Sequence, residues 1–520
     1  MLALPKKVPV FVLPTRLDSR PVPPESKCQA HSSPGRLSER AARASLWSLA
    51  SQGSQQVVAI LAFLFLSRWL SPADYGLAGM AMSVTGVLAI AGDTGVVAAL
   101  VRQAEIDEVA EATGFWVGLV GAVVLATIAV LAAPLLAWYF ADARIEPLAV
   151  AMGLNFLLAA PGRVSTAKLV KRLDFSVLAR ISLTASFSGL AAGIVVARSG
   201  GGAWALFAQM AATFATQAAL VILRAPYRAS PRMFSRAKAT EIVSFGSGMT
   251  GFLLAVTAAR SGDAVLGGRF LGPSPLGLLS MGTKVVVIPV QRLSGALAGV
   301  FMPAYLELED AGRGRAFSRA LNLTVLVSFP VSLGIFAVAP EITALLPARW
   351  FGVAPTLRML ALGTLLEPLG WYSYAVLSAQ GRSNALLRLG LLLIPVGWGG
   401  SLLGSIAGSA VWLALASAVW SGVSALGMAA LIWKPLGLGQ SGMRRLAIPL
   451  AAALLMIVAV RFVLAATATA GRPAGLAIGV LTGLAAYGIA LFTVLRSDFD
   501  QLADLLKRAL KGRRIAYTRD

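Results

Sequence analysis

Long apolar stretches recur along this chain from Ala44 to about Leu495. A helix needs roughly 20 apolar residues to cross the hydrocarbon core of a bilayer. Of all residues, 57% are hydrophobic and 13% are charged, whereas a soluble domain carries about 25% charged residues because its surface faces water. The connections between the stretches are too short to hold a further folded domain. We therefore expect an all-α, polytopic membrane protein.

The hydropathy pattern predicts about fourteen transmembrane helices. The predicted spans are residues 44–67, 77–100, 113–140, 147–164, 176–197, 203–223, 241–262, 276–303, 320–344, 356–379, 386–408, 409–433, 446–467 and 474–495. The fourth is short for a span, and the boundary near Gly408 between the eleventh and the twelfth carries the weakest signal.

A weak internal repeat divides these spans into two halves. The segment RWLSPADYGL, residues 68–77, matches RFLGPSPLGL, residues 269–278, at Arg, Leu, Pro, Gly and Leu. Each copy follows the first helix of a six-helix unit. Six helices restore the chain direction, so the units would be parallel repeats about an axis along the membrane normal. Such repeats are typical of transporters that rock one half against the other.

The repeat leads to a prediction of the domain boundaries. We predict two six-helix lobes in residues 41–225 and 226–435, followed by two extra helices in residues 436–495. Residues 1–40, rich in Pro, Ser and basic residues, predict a disordered cytoplasmic tail, and residues 496–520 predict a basic cytoplasmic tail. Lys and Arg in short loops concentrate on the side of both termini, so the positive-inside rule predicts that both lie in the cytoplasm.

Charge and composition exclude several classes of function. The net charge is +22, but the cations lie between hydrophobic segments rather than on one face, so no nucleic-acid partner is expected. The only Cys and His are Cys28 and His31 in the N-terminal tail. A metal site of these residues within the membrane and a catalytic triad that needs His are therefore excluded, and no cofactor is expected. A polysaccharide polymerase or ligase usually has a large loop with catalytic polar residues, which is missing here, so we expect no enzyme.

Several stretches of the sequence resemble the motifs of a known family and occur in the same order along the chain. They are residues 66–77, 92–102, 169–175, 262–278, 300–306, 348–362 and 380–382. They resemble the polysaccharide transporter family within the superfamily of multidrug, oligosaccharidyl-lipid and polysaccharide exporters. Within it the chain is most similar to the oligosaccharide flippases of the Wzx type, like the colanic-acid exporter.

The resemblance implies a bundle of twelve core helices in two lobes, in the cytoplasmic (inner) membrane of a bacterium. It implies an undecaprenyl-diphosphate-linked oligosaccharide as substrate, turned from the cytoplasmic to the periplasmic leaflet for O-antigen or exopolysaccharide synthesis. Membrane lipid, a polysaccharide polymerase and export machinery are the further partners it implies. The two extra helices go beyond the twelve-helix core and receive no role.

Charged residues within spans point to a site, because each costs about 2.5–3.5 kcal/mol at the centre of a membrane helix. Lys284 and Arg292 lie eight residues apart on one predicted helix, so both can face one cavity, and Pro289 between them predicts a kink. They either bind the diphosphate or acidic sugars of the substrate, or extend their side chains to the membrane interface. Arg461 is predicted to be an interfacial anchor.

The remaining charges are candidates for coupling or gating. Arg260 and Asp263 are three residues apart and are expected to form an ion pair at a periplasmic gate. Asp93 lies within Gly92-Asp-Thr-Gly95, a predicted helix end or hinge. Glu367 lies near mid-membrane, where desolvation favours the neutral carboxyl and suits proton coupling. Its alternative role is a hydrogen-bonded structural carboxylate.

Polar residues are also dense in the first span. Gln52, Gln55 and Gln56 predict either the wall of a wet cavity or helix-packing contacts. A lipid II flippase remains an alternative function, as does a cation-coupled drug antiporter of the same superfamily. The antiporter would need a cavity dominated by acidic residues, whereas Lys284 and Arg292 make this one cationic.

Overall fold

The computed structural model describes residues 52–93, 95–103, 105–306, 308–433, 436, 440–467 and 472–494, and these residues form helices joined by turns and loops, with no strand. The predicted tails, residues 1–40 and 496–520, lie outside this part of the chain. The first half forms α1 Gln52–Leu66, α2 Pro72–Asp93, α3 Val96–Arg102, α4 Glu108–Phe140, α5 Ile145–Ala159, α6 Gly162–Lys171, α7 Phe175–Arg198 and α8 Trp204–Arg224.

The second half has the same general organisation and carries two further helices. It forms α9 Arg236–Leu271, α10 Pro273–Gly282, α11 Ile288–Leu306, α12 Asp310–Ala344, α13 Val353–Gly363, α14 Glu367–Ala379, α15 Ser383–Ile406 and α16 Ala410–Trp433. The two further helices are α17 Gln440–Ala466 and α18 Arg472–Val494. A π turn, Thr283–Val287, joins α10 to α11.

The predicted spans all coincide with helices, and this confirms the all-α membrane fold. In the described part of the chain, 10 helices are long and apolar enough to cross a membrane, or 11 if α5 and α6, bent by 47°, form one span. The other predicted spans are α1, the charged helix α9, and α13–α14, which a 3-10 turn interrupts. The boundary near Gly408 is also confirmed, since Gly408 has a φ of +81° between α15 and α16.

Both copies of the repeat begin a helix with proline. Pro72 and Pro273 stand at the first position of α2 and α10, where a missing N–H costs nothing and the fixed φ suits the helix. The backbone N–H and hydroxyl of Ser71 both donate to Asp74 Oδ2 at 2.7 Å, and the hydroxyl accepts from the Asp74 N–H at 3.3 Å. This capping box satisfies free N–H groups at the start of α2.

One hydrophobic cluster joins the two halves at the end of the bundle that holds the loops around residues 68–71 and 345–352, which we call the outer end. Trp350, fully buried, makes edge contacts with Phe63 and Tyr75 at ring distances of 5.1 and 5.4 Å. Arg349 donates to the carbonyl oxygens of Ser67, at 2.9 Å, and of Arg68. The first and second halves are therefore closed against each other at the outer end.

The π turn replaces the simple kink predicted at Pro289. Residues 273–299 form one continuous span in which Thr283–Val287 is wound more loosely. Pro289 has no N–H for the carbonyl one turn earlier, and its ring crowds that carbonyl. A wider turn relieves both problems, and π turns of this kind are frequent at functional sites.

The two extra helices, α17 and α18, pack on α12, and α18 satisfies a carbonyl that Pro330 of α12 releases. Pro330 cannot donate to Leu326 O, which instead accepts the Tyr487 hydroxyl of α18 at 2.9 Å. Near Pro340, Arg461 of α17 donates to Ala337 O at 3.3 Å and pairs with Glu341 at 3.2 Å. Arg461 is thus a partner of α12, and its place at the membrane interface stays a prediction.

Candidate functional site

A cavity of about 610 Å³ lies between the two halves, on the inner side of the outer seal. Its first-half wall comes from α1, α2 and α8, and its second-half wall from α9, the α10–α11 span, and α13 to α16. The polar and charged residues that line it are Gln56, Tyr75, Gln209, Thr213, Arg260, Asp263, Ser280, Thr283, Lys284, Arg292, Thr364, Glu367, Ser401, Ser417, Trp420 and Ser421.

Lys284 and Arg292 both line this cavity, and neither points outward to lipid. Lys284 lies in the π turn, with Nζ 4.9 Å from the ring centroid of Tyr75, so an aromatic face from the first half stabilises its charge. Within the described residues, neither cation has a carboxylate within ion-pair distance. The cavity wall therefore carries two cations that are not in ion pairs, and Asp263 is a carboxylate on the same wall.

The structure separates the three predicted cavity glutamines. Gln56 lines the cavity, and its side-chain amide donates to Lys284 O at 3.0 Å, across the two halves. Gln52 and Gln55 are not among the residues that line this cavity, and their place in a cavity wall stays a prediction. Gln52 stands one turn nearer the start of α1, and Gln55 is turned by about 100° around the helix from Gln56.

Arg260 forms an ion pair with a different partner from the one predicted. Its Nη2 lies 3.1 Å from Glu367 Oε1, and its guanidinium lies 5.0 Å from the ring centroid of Trp420. The expected pair with Asp263, three residues along α9, is not formed. This pair lies in the cavity wall between α9 and α14, and the prediction failed because α14 is distant in sequence but adjacent in space.

Glu367 is a well-bonded carboxylate at the start of α14, with 9% of the residue exposed. Its Oε1 accepts from Arg260, from the Gln291 amide at 3.0 Å and from the Ser421 hydroxyl at 2.7 Å. These donors come from three different helices, α9, α11 and α16. The hydrogen-bonded alternative for Glu367 is thus present in the structure, and a coupling role would have to operate through this network.

Asp263 is satisfied by two hydroxyls rather than by a cation. Ser401 donates to Oδ1 at 2.6 Å, and Ser417 donates to Oδ2. These serines lie on α15 and α16, so Asp263 connects three helices of the second half. Asp93 ends α2, which confirms the predicted helix end; its side chain lies outside the described part of the chain.

Sequence reasoning missed Tyr75, Gln291, Ser401, Ser417, Trp420 and Ser421 as residues of the site. The serines and Gln291 are polar residues within apolar spans, and that signal alone marks them as candidates for interhelical hydrogen bonds. Tyr75 lies within the repeated motif, but a tyrosine in an apolar segment is far more often part of the core. Only the position of Lys284 beneath its ring distinguishes Tyr75 from an ordinary core tyrosine.

A comparison with protein families identifies the chain. The model of the family described as "Polysaccharide biosynthesis protein" matches residues 65–355, more than half of the sequence. The chain belongs to this family. The predicted resemblance to polysaccharide transporters is thereby confirmed, and the matched region holds both repeat motifs, Arg260, Asp263, Lys284 and Arg292.

Curated relatives of this family member are biosynthesis proteins, and one of them is named as a biosynthesis transport protein. The succinoglycan biosynthesis transport protein ExoT of Rhizobium meliloti is 28% identical over 386 residues, 72% of this chain and 77% of the relative. The teichuronic acid biosynthesis protein TuaB of Bacillus subtilis is 26% identical over 65% of this chain and 71% of its own. The lipopolysaccharide biosynthesis protein WzxC of Escherichia coli is 22% identical over 61% of this chain and 65% of its own.

Solved structures show the same fold. The lipid II flippase MurJ in an inward closed conformation has a TM-score of 0.68 at 10% identity, and the match covers 87% of this chain and 99% of that one. An inward-facing multidrug resistance transporter of the MATE family, in the MOP superfamily, has a TM-score of 0.59 at 16% identity, covering 73% and 95%. This polysaccharide biosynthesis protein therefore has the fold of these multi-pass transporters.

Proposed function

We propose that this protein moves an undecaprenyl-diphosphate-linked oligosaccharide from the cytoplasmic to the periplasmic leaflet of a bacterial inner membrane. The two six-helix lobes, residues 41–225 and 226–435, would rock against each other around the central cavity. Membership of the polysaccharide biosynthesis family and the transport named in the relative ExoT support this proposal.

The two cavity cations that form no ion pair with the described residues, Lys284 and Arg292, carry the proposal. A diphosphate loses its hydration when it enters a cavity within the membrane, and it needs positive charge in return. Arg292 offers a planar set of donors that fits phosphate oxygens, and Lys284 offers a compact point charge. Substrate phosphate would complete a charge balance that the protein leaves open.

The closed outer end supports an alternating mechanism. In this conformation Arg349 and Trp350 of the second half hold the loop at Ser67 of the first half, and the cavity lies on the inner side of that contact. Release of substrate to the periplasm would require these contacts to break while the inner ends of the lobes approach. The polar contacts with Ser67 can be lost and reformed in water at moderate cost.

We further propose that Glu367 and Arg260 act in coupling. Protonation of Glu367 would remove the charge that holds Arg260, and the freed guanidinium would then join the cations that bind the substrate anion. Asp263, bonded to two serines, is a second carboxylate that a proton or another cation can neutralise. Loss of transport on collapse of the proton gradient is expected; transport that ignores it would contradict this coupling role.

The two alternative functions are less well supported. A drug antiporter needs a negative cavity, whereas three cations, Arg260, Lys284 and Arg292, and two carboxylates, Asp263 and Glu367, line this one. Lipid II has the same kind of lipid diphosphate, so it could use the same cations. The curated relatives act in succinoglycan, teichuronic acid and lipopolysaccharide biosynthesis, which favours an oligosaccharide repeat unit.

The proposal is tested with Lys284→Ala, Arg292→Ala and the double variant, expressed in the producing bacterium from which the native gene has been deleted. Surface polysaccharide is expected to fall, with unchanged protein abundance, and lipid-linked repeat units are expected to accumulate. Arg269→Ala is the matched control, because Arg269 is exposed on α9 and does not line the cavity. Normal polymer from the double variant would remove these cations from the mechanism.

A further inference from the structure

A second, smaller cavity lies inside the second half of the molecule, between α9, α11, α14 and α16. We call it the side pocket; its volume is about 140 Å³. Aromatic side chains dominate its wall: Phe252, Trp371, Tyr374 and Trp420. Phe252 and Tyr374 are stacked at 5.3 Å with an interplanar angle of 17°, and Trp371 meets Tyr374 edge-on at 6.3 Å. The pocket therefore presents flat apolar faces in fixed orientations.

The side pocket and the central cavity share one wall. Arg260, Glu367, Trp420 and Ser421 line both. The ion pair between Arg260 and Glu367 thus forms a partition between the two spaces, and the Trp420 ring supports the guanidinium at 5.0 Å. A substrate that occupies the central cavity would reach the side pocket past this pair.

The partition leaves one hydrogen-bond acceptor unused. Glu367 Oε1 takes all three hydrogen bonds that reach this carboxylate from the described residues, so Oε2 accepts none of them. Glu367 is only 9% exposed and lines both spaces, and Oε2 is not completely enclosed by protein atoms. It is a ready acceptor for a ligand hydroxyl.

We propose that the side pocket binds one sugar ring of the oligosaccharide headgroup, a step that rests on the proposed function. Sugar hydroxyls donate to Glu367 Oε2 and accept from Arg260 and Gln291, while the C–H face of the ring packs on Trp371 and Trp420. A site of this kind is largely apolar, with a few converging polar groups that set the orientation of the ligand. The pocket volume of about 140 Å³ equals that of about five waters at about 30 Å³ each, so one sugar ring would fill the pocket.

Charge separates the side pocket from the phosphate site. Arg260 and Glu367 compensate each other, so this wall has no net charge to attract a diphosphate. An isoprenoid chain would leave Glu367 Oε2 and the Ser424 hydroxyl without partners, which disfavours burial of an apolar ligand against them. The molecule thus divides recognition of the headgroup: the cations Lys284 and Arg292 bind phosphate, and the side pocket binds sugar.

The test measures binding of synthetic lipids to the full-length protein in lipid nanodiscs. The probes are undecaprenyl diphosphate alone and the same lipid carrying glucose, galactose or N-acetylglucosamine. The wild type is expected to bind at least one glycolipid more tightly than the bare lipid. Trp371→Ala is expected to weaken the binding of that glycolipid by about tenfold, or about 1.4 kcal/mol, and to leave the affinity for the bare lipid unchanged. Trp412→Ala is the matched control, since Trp412 on α16 is 53% exposed and outside both cavities.

The outcomes separate this inference from the proposed function. Lys284→Ala should weaken the binding of all the lipids, because it removes a contact with phosphate. Equal binding of bare lipid and every glycolipid by the wild type, or equal weakening of both by Trp371→Ala, would overturn the side pocket as a sugar site while leaving the flippase proposal intact. No binding of any of the lipids by the wild type would overturn the proposed function, and the sugar site with it. Ser424→Leu, which fills the pocket without removing a ring, gives a second variant if Trp371→Ala does not fold.

Discussion

The carbonyl oxygen of Pro273 lies 1.8 Å from the position that a Cβ would occupy at Gly76, and the carbonyl of Pro72 lies 1.7 Å from that position at Gly277. Each glycine belongs to one copy of the repeated motif, and each faces the proline of the other copy. The contact is therefore reciprocal, as a pseudo-twofold axis between α2 and α10 requires. Only glycine lets two helix backbones approach so closely.

This contact predicts that even one methyl group separates the halves. Gly76→Ala and Gly277→Ala each place a Cβ against a backbone carbonyl that cannot rotate away. We expect each substitution to destabilise this arrangement by about 1–3 kcal/mol, measured as a lower temperature of thermal unfolding in detergent. Gly86→Ala on the same helix is the control, because no atom lies within 4 Å of its added Cβ. Equal melting of Gly76→Ala and the control would contradict the close contact.

The ion pair between Arg260 and Glu367 predicts a non-additive response to substitution. Glu367→Gln leaves the Arg260 charge unpaired, and Arg260→Gln leaves the carboxylate unpaired, so each single variant should be less stable than the double variant. The effect should be smaller than the roughly 3–5 kcal/mol of a fully buried pair, because the Arg260 side chain is 36% exposed to the cavity. A double-mutant cycle by thermal unfolding measures this coupling, and strictly additive losses would argue against the pair.

The hydrogen bond from Tyr487 to Leu326 O predicts a role for α18 in holding α12. Tyr487→Phe removes the donor and leaves a buried carbonyl free, at a cost of about 1 kcal/mol in the free energy of unfolding. Tyr139→Phe is the control, since the Tyr139 hydroxyl has no partner among the described residues. In a Pro330→Ala background, residue 330 supplies its own N–H to Leu326 O, so the cost of Tyr487→Phe should shrink. An unchanged cost there would show that the released carbonyl is not the reason.

A pH dependence is expected at the start of α4, outside the membrane. Hydrogen bonds from Lys238 and from the Ala110 N–H hold the pKa of Asp107 below its usual value of 3.8. Because the pKa is lower in the folded protein, this stabilisation is present above pH 3.8 and is lost as the pH falls through the folded value. The Asp107 side chain is 55% exposed, so the contribution is small.

The measurement is the difference in unfolding temperature between the wild type and Asp107→Asn, followed from pH 7 to pH 3. It should be positive at pH 7, decrease below about pH 4 and also decrease with added salt, which screens the pair. Glu105→Gln provides the control for loss of an exposed carboxylate, since Glu105 has no partner among the described residues. A difference that does not change with pH would contradict the ionic contribution of Asp107.

Some of the site residues predicted from the sequence lie where the prediction placed them and others do not. The difference is whether the prediction depended on one segment or on contacts between distant segments. Lys284 and Arg292 were predicted from a single segment, because a charge within an apolar span is visible in the sequence without knowledge of the helices packed around it. Arg260 was assigned to the wrong partner, since Asp263 is close in sequence whereas Glu367 is 107 residues away. The structure places Gln56 on the cavity wall, and the sequence could not distinguish it from Gln52 and Gln55, because polarity is visible in a sequence whereas the direction of a side chain from its helix is not.

The sequence by itself determined the helical membrane fold, the positions of the spans and the two repeat motifs. These depend on local hydropathy and on the restricted backbone of proline and glycine, which act within a single segment. Only the tertiary structure decided that Tyr75 lies over Lys284, that Gly76 and Gly277 face each other's prolines, and that α17 and α18 supply donors to α12. Each of these contacts joins helices that are far apart along the chain, and the packing of whole helices, rather than any local preference, brings their atoms within bonding distance.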